Sequence, residues 1–142
     1  MSKEALNNLA GIGKLKIEPP ARSEFEGLLR SGQHRLNDAE IAALSLESRF
    51  DLAYNAAHAF ALAALRWHGY RSESRYLVFQ CLQHTLGLPP EQWRVLDQAH
   101  RKRNLAEYEG VVDVDRATVE AVIRVTRDLE QRLAALGPPA ED

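Results

Sequence analysis

Between Leu46 and His68 the chain reads LESRFDLAYNAAHAFALAALRWH, and this stretch leaves little choice of fold. Phe50, Ala53 and Tyr54, Ala57, Phe60 and Ala61, and Ala64 and Leu65 recur at three- and four-residue steps, the period of an α-helix. From Ala56 to Leu65 the opposite face is also nearly all alanine and leucine. A helix that is apolar all round is buried on several sides, and its alanines let partner backbones approach closely. Arg49, Asp51, Asn55 and His58 interrupt the run, which is too short to cross a membrane. The stretch is expected to be the central helix of a bundle.

The rest of the chain supplies its partners. Met1 to Leu9 suits a short helix ended by Gly11 and Gly13, and Pro19-Pro20 stops any regular element. Residues 1–20 are thus an arm that packs on the body or on a partner. Ser23 with Glu26 has the spacing of a capping box, which opens a helix running to about Leu44 over Phe25, Leu28, Leu29 and Leu36, weakened in the middle by Gly32. Ser45 caps the central helix, and Gly69 closes it in a left-handed cap. Ser72 caps the next helix, with Tyr76, Phe79, Leu82 and Leu86 spaced for packing, up to Gly87 and Pro89-Pro90. A further helix spans Glu91 to about Tyr108, with Gly110 as its stop. Asp113 or Asp115 caps the last, whose Val119, Val122, Ile123, Thr126, Leu129, Leu133 and Leu136 form one stripe. No strand pattern or repeat competes. The expected fold is all-α, an up-and-down bundle of about five helices over residues 21–137, with a frayed tail at 138–142.

Composition narrows the function classes. With 45% hydrophobic content in 142 residues, one domain can bury a substantial core. Eighteen basic residues against 20 acidic ones leave a net charge of -2, so a nucleic-acid contact must come from a local basic cluster. The single cysteine, Cys81, excludes an internal disulfide and any Cys-rich zinc site. It lies among Leu77, Val78 and Leu82, which suits a buried thiol. No amino-terminal signal or membrane span is visible, and this points to the cytoplasm.

Chemistry is best sought around Arg103. At about 100° per residue, Leu96, Ala99, Arg103 and Ala106 share one stripe, which puts a guanidinium on the core-facing side. Such a charge needs a carboxylate, a set of carbonyls, or a cleft holding an anion such as phosphate. Asp97, Arg101, Asn104 and Tyr108 gather on an adjoining face. His100-Arg101-Lys102-Arg103 is the densest basic run in the chain, and Arg101, Lys102 and Arg103 are the candidate phosphate or nucleic-acid contacts. The competing account is a structural ion pair from Arg103 to Glu47, Asp51 or another acid. His58 reads as a hydrogen-bonded core histidine, and Trp67 and Trp93 as packing anchors. Tyr70 and Arg71 suit capping and packing of the turn. There is no Gly-rich phosphate loop, no Ser-His-Asp order and no paired histidine spacing, so neither metal nor cofactor is expected.

Tyr54, Asn55 and His58 in LAYNAAH, the Gly69-Tyr70-Arg71 turn, and Arg103-Asn104 followed by Ala106-Glu107-Tyr108 resemble the HEPN family, the higher eukaryotes and prokaryotes nucleotide-binding domain. The resemblance covers roughly Ala21 to Leu136. It implies a small helical bundle that pairs as a homodimer, in a toxin–antitoxin or stress-response setting with an antitoxin or nucleotidyltransferase partner. In many members an Arg and a His four to six intervening residues later meet across the dimer cleft and cleave RNA. Arg103 and Asn104 match the first part of that motif, but Tyr108, Glu109 and Gly110 stand where the histidine belongs. A tyrosine with a pKa near 10 is a poor proton shuttle at neutral pH, although it can donate a hydrogen bond or stack on a base. Arg103, Asn104 and Tyr108 are the catalytic candidates, with His100, one turn before Arg103, as substitute base. Three functions follow: a module that binds nucleotide, RNA or a partner protein around Arg103, a metal-independent endoribonuclease toxin, or a dimerisation domain alone.

Overall fold

The computed structural model describes residues 2–110 and 113–139. It is an all-α bundle: α1 (Ser2–Gly11), α2 (Arg22–Ala39), α3 (Leu46–Trp67), α4 (Arg75–Gln80), α5 (Leu82–Thr85), α6 (Pro90–Glu109) and α7 (Arg116–Leu136). Against the expectation of no strand, β1 (Lys16–Ile17) pairs antiparallel with β2 (Tyr70–Arg71), Lys16 opposite Arg71 and Ile17 opposite Tyr70.

The Leu46–His68 stretch is the centre it was expected to be. Helix α3 touches α2, α4, α5, α6 and α7, and Ala53, Tyr54, Ala57, Phe60, Ala64 and Leu65 are wholly buried. Side-chain bonds fix the directions of its neighbours. Arg49 of α3 donates to the Ala39 carbonyl while Arg66 reaches Glu24, so α2 runs antiparallel to α3. Tyr54 meets His100 and Asp51 meets Arg103, so α6 does too. Trp67 donates to the Gly137 carbonyl at 3.1 Å, which brings the ends of α3 and α7 together.

Several boundaries move, each for a local reason. Helix α2 starts at Arg22 behind Ala21, which makes no side-chain cap bond, so Ser23 lies inside the first turn. That turn is anchored through Glu24 instead, which pairs with Arg66 at 2.9 Å and with Arg71. It ends at Ala39, not Leu44, where Arg49 Nε supplies the terminal carbonyl with a donor at 2.7 Å. Ser45 accepts from the Ser48 amide as an N-cap should, and Gly69 follows α3 at φ +91°. Ser74 rather than Ser72 caps α4, and one expected helix from Ser72 to Leu86 is divided at Cys81. Asp115 caps α7 and Gly110 ends α6 at φ +74°. Pro139 is buried, so the segment after α7 begins packed, and residues 140–142 of the expected tail lie outside those described.

Gly32 has a packing reason. A Cβ there would lie 2.5 Å from the Phe60 ring, so the missing side chain is what lets α2 and α3 close on each other. The arm is likewise tied down. Leu6 and Leu15 are core residues, and Arg66, 1% exposed, donates to the carbonyls of Glu18, Pro19 and Tyr70. Arg71 joins the same carboxylates, and these guanidinium bonds hold the Glu18 carboxyl below its usual pKa. Among the described residues, no helix is long and apolar enough to cross a membrane.

Candidate functional site

The first half of the α6 stripe behaves as its spacing predicts, with Leu96 and Ala99 almost fully buried. Further along, α6 leaves the core and the stripe opens. Arg103 is therefore half-buried, 27% exposed, rather than enclosed. Its Nη1 lies 3.0 Å from Glu107 Oε1 and its Nε 3.8 Å from Asp51 Oδ1. It does not make a closed two-point pair with one acid. Both partners are 60% exposed, and pairs of that kind hold a side chain by only about 0–1 kcal/mol.

The guanidinium also rests on an aromatic ring, with the Arg103 Cζ 5.1 Å from the centre of Tyr54. A second guanidinium shares that ring. Arg75, in the first turn of α4, has its Cζ 5.6 Å from the same centre and donates to Asn55 Oδ1 at 3.2 Å. No carboxylate lies within 4 Å of Arg75 among the described residues. Nothing in the spacing singles out this arginine, because no periodicity or motif marks it. Only the packing of α4 against α3 and α6 puts it on Tyr54.

His100 links the buried ring to the surface. Its Nδ1 is 3.0 Å from the Tyr54 phenol oxygen and its Nε2 3.2 Å from the Asn104 amide nitrogen. A neutral imidazole offers one donor and one acceptor, so both ring nitrogens are in use. Burial holds the His100 pKa below its ordinary value, and Arg75 and Arg103 push the same way against Asp97. His58, one turn after Tyr54, lies edge-on to Phe79 with ring centres 5.9 Å apart, so aromatic packing is what holds it in place. Burial, then the charges of Arg75, Arg103 and His100, lower its pKa to about 4. Both histidines are neutral at pH 7. Burial raises the Tyr54 pKa, so the phenol keeps its proton.

The expected basic triad does not act as one surface. Successive residues on a helix point about 100° apart, and the three side chains diverge. Arg101 pairs with Asp97 at 3.2 Å, Lys102 donates to the Asp113 carbonyl, and only Arg103 faces Tyr54. Asn104 joins the cluster through His100, whereas Tyr108 is 90% exposed and takes no part in it. Tyr76, expected to pack inward, is 44% exposed with its ring centre 6.1 Å from His100. Cys81 is buried as expected, which pushes its thiol pKa to about 11. Trp67 anchors the end of α7.

Arg103 also lines a groove of about 640 Å³ between the start of α3 and the end of α6. Leu44, Phe50 and Leu52 line its floor, and Glu47, Asp51 and Glu107 its rim. Arg103 thus belongs to two features of opposite character: a cationic aromatic cluster and an acidic apolar groove. No group of three or more His, Cys, Asp or Glu side chains suited to a metal ion occurs among the described residues. Comparison of the chain with protein-family models, curated proteins and solved structures yields no match.

Proposed function

We propose that this bundle binds a phosphate-bearing ligand, a nucleotide or an RNA strand, through Arg75 and Arg103. One observation carries the reading: two guanidinium groups sit over the single buried ring of Tyr54, and one of them has no carboxylate partner among the described residues. A phosphate that both guanidinium groups reach gains from two positive charges at once. Arginine's planar fork suits phosphate oxygens. The exposed acids on Arg103 yield easily to a dianion, and Asn104, also exposed, adds an amide donor. Tyr76 offers an open aromatic face next to His100.

A second reading, metal-independent RNA cleavage, is favoured by the neutral imidazole of His100 beside the two arginines. A general base needs a free lone pair aimed at the substrate. In His100 both nitrogens are engaged, so Asn104 must first swing off Nε2. Binding without chemistry needs no such step and is the simpler account. A purely structural role explains the ion pairs of Arg103 but leaves Arg75 with no carboxylate to balance its charge among the described residues. Pairing of two copies and a toxin–antitoxin or stress-response setting belong to the reading through the HEPN resemblance.

Fluorescence anisotropy with a short single-stranded RNA tests the proposal. Wild type should bind in a salt-sensitive way, and Arg75→Ala and Arg103→Ala should each weaken binding about tenfold or more. Equal affinity in all three proteins would sink it. The same samples, incubated with chelator, show whether the RNA is cut, and cleavage that disappears in Arg103→Ala would promote the second reading.

A further inference from the structure

We propose that the groove between the start of α3 and the end of α6 docks a basic amphipathic helix of a partner protein. The groove shares Arg103 with the anion site, and Arg75, which does not line it, separates the two in the test.

The groove combines two features that call for a particular occupant. Its floor of Leu44, Phe50 and Leu52 is apolar. Ile41, 46% exposed, stands three residues before Leu44 in the same α2–α3 turn. An apolar groove between two helices suits a helical segment of chain. The rim sets the charge of that segment. Glu47, Asp51 and Glu107 outnumber Arg103 three to one. An apolar partner would strip water from these carboxylates without replacing it. A helix with a leucine-like ridge and lysine or arginine on its flanks satisfies both floor and rim. A second copy meeting this groove across a two-fold axis would set Glu47, Asp51 and Glu107 against themselves, and the like charges disfavour it.

The probes are three 18-residue peptides: an amphipathic Leu/Lys helix, its Leu/Glu counterpart with the same apolar face, and a scrambled Leu/Lys sequence. The expected result by anisotropy is binding of the Leu/Lys helix alone. The Glu47→Gln/Glu107→Gln variant should weaken it about tenfold, and Leu44→Ser, at a half-exposed position, should weaken it as well. A control pair of exposed acids, Glu73→Gln/Glu120→Gln, should leave it unchanged, and so should Arg75→Ala, which separates this result from the anion site. The proposal is overturned if the Leu/Lys helix fails to bind. Equal binding of the Leu/Glu or scrambled peptide overturns it too, as does an equal loss in the control pair. Light scattering that shows dimers dissociating in Leu44→Ser would assign the groove to a second copy instead.

Discussion

The phenol oxygen of Tyr54 and the Nδ1 of His100 lie 3.0 Å apart, and this contact joins the buried part of α3 to the middle of α6. Tyr54 is wholly buried while His100 is only partly so. Tyr54→Phe keeps the ring under Arg75 and Arg103 and removes the hydroxyl that meets His100 and both guanidinium groups. It should cost about 1 kcal/mol of stability in urea denaturation. Anion binding should survive it, because the guanidinium groups keep their aromatic support. A loss of binding equal to that in Arg75→Ala would show that the hydroxyl itself touches the ligand.

Gly32→Ala should destabilise the protein. Helix propensity alone favours alanine by about 1 kcal/mol. The new methyl group would meet the Phe60 ring, itself fully buried, at 2.5 Å. Overpacking of this kind costs about 1–3 kcal/mol, so a lower melting temperature is expected. A rise would mean that α2 and α3 can separate without penalty.

Arg66→Met should be the more severe change. It leaves the carbonyls of Glu18, Pro19 and Tyr70 without their donor and Glu24 with only Arg71. Removing one partner of such a network costs about 3 kcal/mol or more. Limited proteolysis should then cut between Gly11 and Pro20, because the arm loses its clasp on the end of α3. Protection equal to wild type would show that Leu6 and Leu15 suffice to hold it.

Much of this fold is legible from residue spacing. The 46–68 run, the α7 stripe, Ser45, Asp115 and the glycine stops at Gly69 and Gly110 all report local rules, and the chain obeys them. The misplaced features depend on partners distant in sequence. Ser23 loses its expected capping role because Glu24, fixed by Arg66 and Arg71, anchors that turn. The two-residue ladder needs Lys16 and Arg71 to meet, which no short pattern announces. The site divides in the same way. Arg103 stands out because it breaks an apolar stripe, and Asn104 and His100 follow from helical spacing. Arg75 has no such local signature, since α4 is a short helix and its contact with Tyr54 exists only after α3, α4 and α6 have packed. Grouping Arg101, Lys102 and Arg103 by adjacency misleads, because neighbours on a helix do not share a face.

Acid should weaken the fold through its histidines before its carboxylates. His58 has its pKa lowered from 6.5 to about 4, and His68 and His100 are also shifted down, each chiefly by burial. Between these values the unfolded chain takes up more protons than the folded one, so stability rises with pH across that window and is lost as pH falls from about 6.5 towards 4. Glu18 and Glu24, whose pKa values are also depressed, extend the loss to lower pH. Urea midpoints at stepped pH should show the slope, and His58→Gln should flatten it. An unchanged slope in that variant would remove His58 from the account.

The most direct test of the central claim follows the histidine side chains by NMR while a 5′-phosphorylated dinucleotide is added at pH 7. If phosphate lodges between Arg75 and Arg103, the imidazole signals of His58 and His100 move together and those of His34 and His84 stay still. In Arg75→Ala the same addition should leave all of them unmoved. Signals of His58 and His100 that ignore the dinucleotide in the wild type, or shift equally in Arg75→Ala, would contradict an anion site at Tyr54.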